Sequence, residues 1–135
     1  MRIHQEINNI LTILPYDLGK ILFETADIEE FQEYINNLKH VESMLEYIYK
    51  KPFKEFTLLE VIKGVMLNIR MQNSSDIMKY EEFKDHYMIY ITHRLGVNCS
   101  KCLGIMNGSV FDSAGVRYDA KYSERSIFFK VYKNR

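Results

Sequence analysis

The stretch Asp27-Ile28-Glu29-Glu30-Phe31-Gln32-Glu33-Tyr34-Ile35-Asn36-Asn37-Leu38-Lys39-His40-Val41-Glu42-Ser43-Met44-Leu45-Glu46-Tyr47-Ile48 decides how this chain is read. Ile28, Phe31, Ile35, Leu38, Val41, Leu45 and Ile48 recur at steps of three and four, which places them on one face of a helix. Asp27 followed by Glu30 is a capping pair that starts the helix. Pro52 marks its end, because proline lacks the N–H a helix interior needs.

Upstream, Ile3, Ile7, Ile10, Leu11 and Leu14 define a first helix by the same spacing. Pro15 either kinks it or sits in the first turn of its continuation. Leu18, Ile21 and Leu22 carry the pattern to about Thr25. The two rods predict an antiparallel helical hairpin. Its apolar stripe needs cover from the rest of the chain or from a second copy, so a homodimeric four-helix bundle is one solution.

Downstream, Thr57 and Glu60 form another capping pair, and Leu59, Ile62, Val65, Met66 and Ile69 predict a third helix. Asn73, Ser74 and Ser75 read as a loop. Asp76 to Leu95 is ambiguous. Tyr80, Phe83, Tyr87 and Tyr90 fit a helix, which is the favoured reading, whereas Tyr87 to Thr92 is rich enough in β-formers for a strand. Val97 to Met106 reads as a short helix stopped by Asn107–Gly108. Ser109 to Asp112 and Ser126 to Tyr132 read as strands, with a third at Val116 to Tyr122. The expected fold class is α+β: an N-terminal antiparallel helical hairpin (1–52), then further helices and a small C-terminal β-sheet (53–135). All of residues 1–135 are expected to form a single domain.

Composition narrows the function. Lys plus Arg equals Asp plus Glu at 18 each, so the formal net charge is zero. Generic nucleic-acid and anionic-membrane binders usually carry a positive excess, so neither partner is expected. No apolar run of about 18 residues exists to span a membrane, and His4, Glu6, Asn8 and Asn9 interrupt any leader-like core. Cys99 and Cys102 are the only cysteines, which is not a secreted disulfide framework. A cytoplasmic location is expected.

Two segments resemble the ends of a histidine-kinase catalytic core. Arg2-Ile3-His4-Gln5-Glu6-Ile7-Asn8-Asn9-Ile10-Leu11 is similar to the H-box of the dimerisation and histidine-phosphotransfer hairpin, and Phe56-Thr57-Leu58-Leu59-Glu60-Val61-Ile62 resembles the segment leading into the ATPase-like domain. Leu95 to Val110 looks like the glycine-bearing stretch near the end of that domain, and Ser126-Ile127-Phe128-Phe129-Lys130-Val131 resembles its last strand. The family's asparagine-bearing helix, glycine-rich turn and ATP lid have no counterpart between Ile62 and Leu95. Without them a domain cannot cradle a triphosphate and its Mg²⁺.

The resemblance therefore implies a pseudokinase-like signalling adaptor of a two-component system, or a degenerate histidine-phosphotransfer or aspartyl-phosphate phosphatase module without ATP. Its partners would be a receiver domain or a sensor kinase, and no cofactor or metal is expected. The resemblance makes His4 the phosphoacceptor and Asn8, one turn on, the residue that orients a water. The neighbour of His4 is Gln5, which cannot accept its proton, and the plainer readings are a solvated histidine and a surface asparagine. An alternative function is a small inhibitor from a phage or mobile element that blocks a host protein.

Other residues have competing readings. Cys99 and Cys102, with His86 and His93, have zinc-like spacing, but two buried thiols on one helix are the preferred reading. Tyr47, Tyr49, Phe53 and Phe56 suit either a docking surface or core packing. The glycines from Gly104 to Gly115 lack phosphate-loop spacing and read as strand turns.

Overall fold

In the computed structural model, residues 16–72 and 75–134 are described. The first-helix positions up to Leu14, with His4 and Asn8, lie outside the described residues. The order is α1 (Tyr16–Thr25), α2 (Ile28–Leu38), α3 (His40–Tyr49), a 3₁₀ turn (Phe53–Glu55), α4 (Leu58–Gln72), β1 (Ser75–Glu82), β2 (His86–His93), α5 (Val97–Ser113), β3 (Tyr118–Tyr122) and β4 (Ser126–Tyr132). The fold is α+β, with one four-stranded antiparallel sheet in the C-terminal part.

Both capping pairs form. The Asp27 carboxylate accepts the Glu30 N–H at 3.1 Å. Thr57 and Glu60 make the reciprocal box, with Glu60 N–H to Thr57 Oγ1 at 3.2 Å and Thr57 N–H to Glu60 Oε1 at 3.0 Å. These bonds satisfy N–H groups that a helix start leaves without intrahelical partners. Lys51 adds an ion pair to Glu60 at 2.7 Å. That contact and the Thr57 amide hold the Glu60 carboxyl down at about 2.

The long second helix expected from Ile28 to Ile48 is broken in two. Lys39 adopts the left-handed conformation, φ 49° and ψ 42°, and serves as C-cap of α2 and N-cap of α3. The apolar spacing runs through the break, because one left-handed residue interrupts the axis without interrupting the repeat. The turn leaves Leu38 half exposed while Val41, Met44 and Leu45 enter the core. Gly64 on α4 permits this approach: a Cβ there would stand 2.8 Å from Leu45 Cδ1.

The region from Asp76 to Leu95, expected as helix, is instead the β1–β2 hairpin. Its tyrosine spacing spans a chain reversal. Phe83 N–H donates to His86 O at 2.8 Å, and the two-residue turn lies between them. Tyr80 and Tyr87 then fall on the helix-facing side, since their cross-strand partners are Ile89 and Glu82.

A second correction concerns α5. It continues past Asn107–Gly108 to Ser113, so the strand expected at Ser109–Asp112 is its last turn. Gly108 is used for close approach, because the Tyr118 hydroxyl occupies the space a Cβ would take. Asn107 is buried, with its Nδ2 donating to Leu103 O at 2.8 Å. The chain turns at Gly115, whose φ of 68° suits glycine.

The strand order is β1-β2-β4-β3, so two hairpins join through their inner strands. β2 and β4 bury Tyr87, Ile89, Ile91, Ile127, Phe129 and Val131. These alternate residues face one layer, as strand geometry requires. α5 packs on β3 and β4 and α4 packs on β1, while α1, α2 and α3 pack on α5. Asn98 ties α1 down by donating to Phe23 O at 3.0 Å. α1 nevertheless exposes much of Leu18, Ile21 and Leu22. Among the described residues no helix is long and apolar enough to cross a membrane.

Candidate functional site

The described surface is indented where α2, α5 and β3 meet, in an open groove of about 350 Å³. Ile28, Gln32 and Asn36 form a stripe along α2, at the four-residue interval that keeps side chains on one helix face. α5 contributes Lys101, Gly104, Ile105, Ser109 and Asp112, and β3 contributes Tyr118, Ala120 and Tyr122. Gly104 brings α5 close to the sheet, since a Cβ there would lie 3.1 Å from Ile127 Cδ1. That makes Ile127 part of the groove's apolar floor.

Charge is separated along the groove. Lys101 and Asp112 lie three turns apart on the same face of α5, a separation of about 16 Å at 1.5 Å per residue. Tyr118 stands near the Asp112 end. Burial, followed by the Asp112 charge, raises its hydroxyl pKa, so the phenol remains a neutral donor.

The β3 wall has a further property. Tyr132 N–H donates to Arg117 O at 3.0 Å and Ser123 N–H to Ser126 O at 2.8 Å. Both belong to the register that pairs Tyr118 with Val131 and Tyr122 with Ile127. Hydrogen-bonded and non-bonded pairs alternate in an antiparallel ladder. Asp119 and Lys121 therefore bond to β4, while Tyr118, Ala120 and Tyr122 direct their N–H and C=O groups away from it. The same three residues line the groove.

A buried polar relay outside the groove is structural. His93 Nδ1 accepts the Leu95 N–H at 3.1 Å, so its Nε2 carries the proton and donates to Ser100 Oγ at 2.6 Å. Ser100 Oγ in turn donates to Ser123 O at 2.7 Å. The relay ties β2, α5 and the β3–β4 turn together. His93 is 1% exposed and Ser100 0%, so no substrate reaches this pair. Burial lowers the His93 pKa, against a smaller opposing effect of Asp76.

Cys99 and Cys102 are both buried on α5. Desolvation pushes their thiols up to about 12 and about 11, with the neighbouring Cys102 adding to the effect on Cys99. Protonated thiols are poor nucleophiles and poor ligands. His86 and His93 sit at opposite ends of β2, about 23 Å apart at strand rise, so the four residues do not converge. Among the described residues no cluster of three or more His, Cys, Asp or Glu side chains could hold a metal ion.

Of the aromatic group, Phe56 is buried, with Tyr49 and Phe53 packed against it at 5.4 and 5.0 Å between ring centres. Tyr47 is exposed beneath the Lys50 ammonium at 4.5 Å. These rings are chiefly packing for the turn between α3 and α4.

The groove residues come from three distant segments, and no spacing in the sequence joins them. The one available signal was Lys101 and Asp112 on a single helix, legible only once α5 is known to continue past Gly108. The groove offers donors, acceptors and one charge of each sign over an apolar floor. It contains neither histidine nor cysteine. No protein-family model matches the chain, and no curated protein matches it.

Proposed function

We propose that this chain is a non-enzymatic signalling adaptor that docks a protein partner in the α2–α5–β3 groove. The observation that carries the reading is the β3 edge, unpaired among the described residues, which forms one wall of that groove. An extended segment of a partner adds to such an edge through main-chain hydrogen bonds, while side-chain subsites supply specificity. Here Tyr118, Ala120 and Tyr122 offer the main-chain groups. Lys101 and Asp112 set direction by charge, and half-buried Ile28 and Ile105 receive apolar side chains. The histidine-kinase resemblance makes the partner a receiver domain or a sensor kinase.

Isotope-labelled chain titrated with a receiver domain, and separately with a kinase core, tests the reading by amide chemical shifts. Shifts are expected at Lys101, Ala120 and Tyr122. Ala120→Pro removes one outward N–H and spares the β4 ladder, so it should weaken binding by about tenfold or more. Binding unaffected by Ala120→Pro, or absent with both partners, would sink the proposal.

A further inference from the structure

The opposite edge of the sheet is β1, and its residues encode a complement to themselves. Phe83 N–H donates to His86 O at 2.8 Å, and the same register pairs Glu81 with Met88, Lys79 with Tyr90 and Ile77 with Thr92. The alternation of the ladder makes Glu81, Lys79 and Ile77 the residues that bond to β2. Met78, Tyr80 and Glu82 therefore direct their N–H and C=O groups outward. Apart from half-buried Ser75 and Met78, every residue of the strand is exposed. Among the described residues no strand pairs with this edge, and an edge of this kind is a template for pairing with another chain.

We propose that β1 is the interface of a two-fold homodimer, in which β1 pairs antiparallel with β1 of a second copy about an axis through Tyr80. The side chains select this register. Centring on Lys79 would put lysine opposite lysine, and centring on Glu81 would put glutamate opposite glutamate. Centring on Met78 runs the pairing into the irregularity between Ser75 and Ile77, and centring on Glu82 opposes two carboxylates at the turn. Centring on Tyr80 places each Lys79 opposite Glu81 of the second copy.

The same register sets each Ile77 opposite Phe83 of the second copy. These two large apolar side chains are 56% and 43% exposed in the single chain. Directly opposed side chains are close enough to interact, so each would cover the other. Tyr80 with Tyr80, and Met78 with Glu82 in both directions, form the hydrogen-bonded pairs. Their outward amides and carbonyls satisfy one another. The two sheets become one eight-stranded antiparallel sheet, leaving the β3 groove free in each copy.

Sedimentation of the full chain over about 1 µM to 1 mM should reveal a concentration-dependent dimer. Lys79→Glu and Glu81→Lys each create two like-charge oppositions and should each weaken it by about tenfold or more. Mixing the two variants restores every pairing. The carboxylate introduced at position 79 of one chain meets the ammonium introduced at position 81 of the other, and the remaining native Glu81 meets the remaining native Lys79. The mixture should therefore dimerise within about threefold of the wild type. A monomer across the whole range, a dimer indifferent to the single substitutions, or a mixture no stronger than its components would each overturn the proposal.

Discussion

The inner and outer strands of the sheet are built to opposite rules. β2 and β4 alternate buried and partly exposed residues along their lengths, and their inward side chains form the centre of the core. β1 and β3 bury no residue completely and mix charges with tyrosines. The inner pair fixes the fold through packing. The outer pair contributes little to the core and leaves its main-chain groups available. Stability thus rests on the inner strands, and the recognition proposed above falls to the outer ones.

The contrast is broken most severely from the centre. Phe129 is 0% exposed and packs edge-on against Phe111, with ring centres 5.5 Å apart. Phe129→Ala removes that volume where α5, already seated close on the sheet at Gly104 and Ile127, has little room to collapse into the gap. The expected loss is about 3–5 kcal/mol, read from denaturant unfolding. A loss under about 1 kcal/mol would mean that the centre is not packed as described.

The His93 relay comes next. His93→Ala leaves the buried Leu95 N–H without its acceptor and takes from the Ser100 hydroxyl the bond it accepts, and should destabilise by about 2–3 kcal/mol. The relay also has a pH signature. The folded pKa of His93 is lowered from 6.5, so the native state holds it neutral while the unfolded chain takes up a proton more readily. Its stabilising contribution is complete above the unfolded value and declines as pH falls through 6.5 towards the folded pKa. His40 is lowered in the same sense, chiefly by burial. Stability measured from about pH 7.5 downward should therefore fall below about pH 6.5, and His93→Ala should make that decline shallower. An unchanged slope would remove His93 as its source.

The same division explains what the sequence disclosed. α2 and α4 were legible because each carries a stripe and begins with an Asp27 or Thr57 cap, whereas α3 was read only as an unbroken continuation of α2, because the apolar repeat runs through the left-handed Lys39. β4 was legible because Ile127, Phe129 and Val131 alternate. β1 was hidden, and β2 was read only as the alternative to a helix, because Tyr80, Phe83, Tyr87 and Tyr90 keep helical spacing across a tight reversal, and an outer strand that is largely exposed has no apolar alternation to set against it. α5 was read too short because Gly108 looks like a stop, whereas its role is to admit the Tyr118 hydroxyl. Only the folded chain brings Gln32, Lys101 and Tyr122 together, since they are separated in sequence and each is ordinary alone.

The smallest effect gives the sharpest comparison, because it separates neighbouring residues of one outer strand. Lys121 N–H bonds to β4 opposite Phe128, whereas Ala120 N–H points outward. Both are exposed and neither contributes to the core, so proline chiefly tests the main chain. Lys121→Pro removes a ladder bond and should cost about 1–3 kcal/mol. Ala120→Pro removes none, and the preceding Asp119 is already extended as proline requires. Its effect on unfolding should stay within about 0.5 kcal/mol. Equal losses at the two positions would mean that the ladder is out of phase with the register described. The outward groups of β3 would then belong to Asp119 and Lys121, whose side chains do not line the groove.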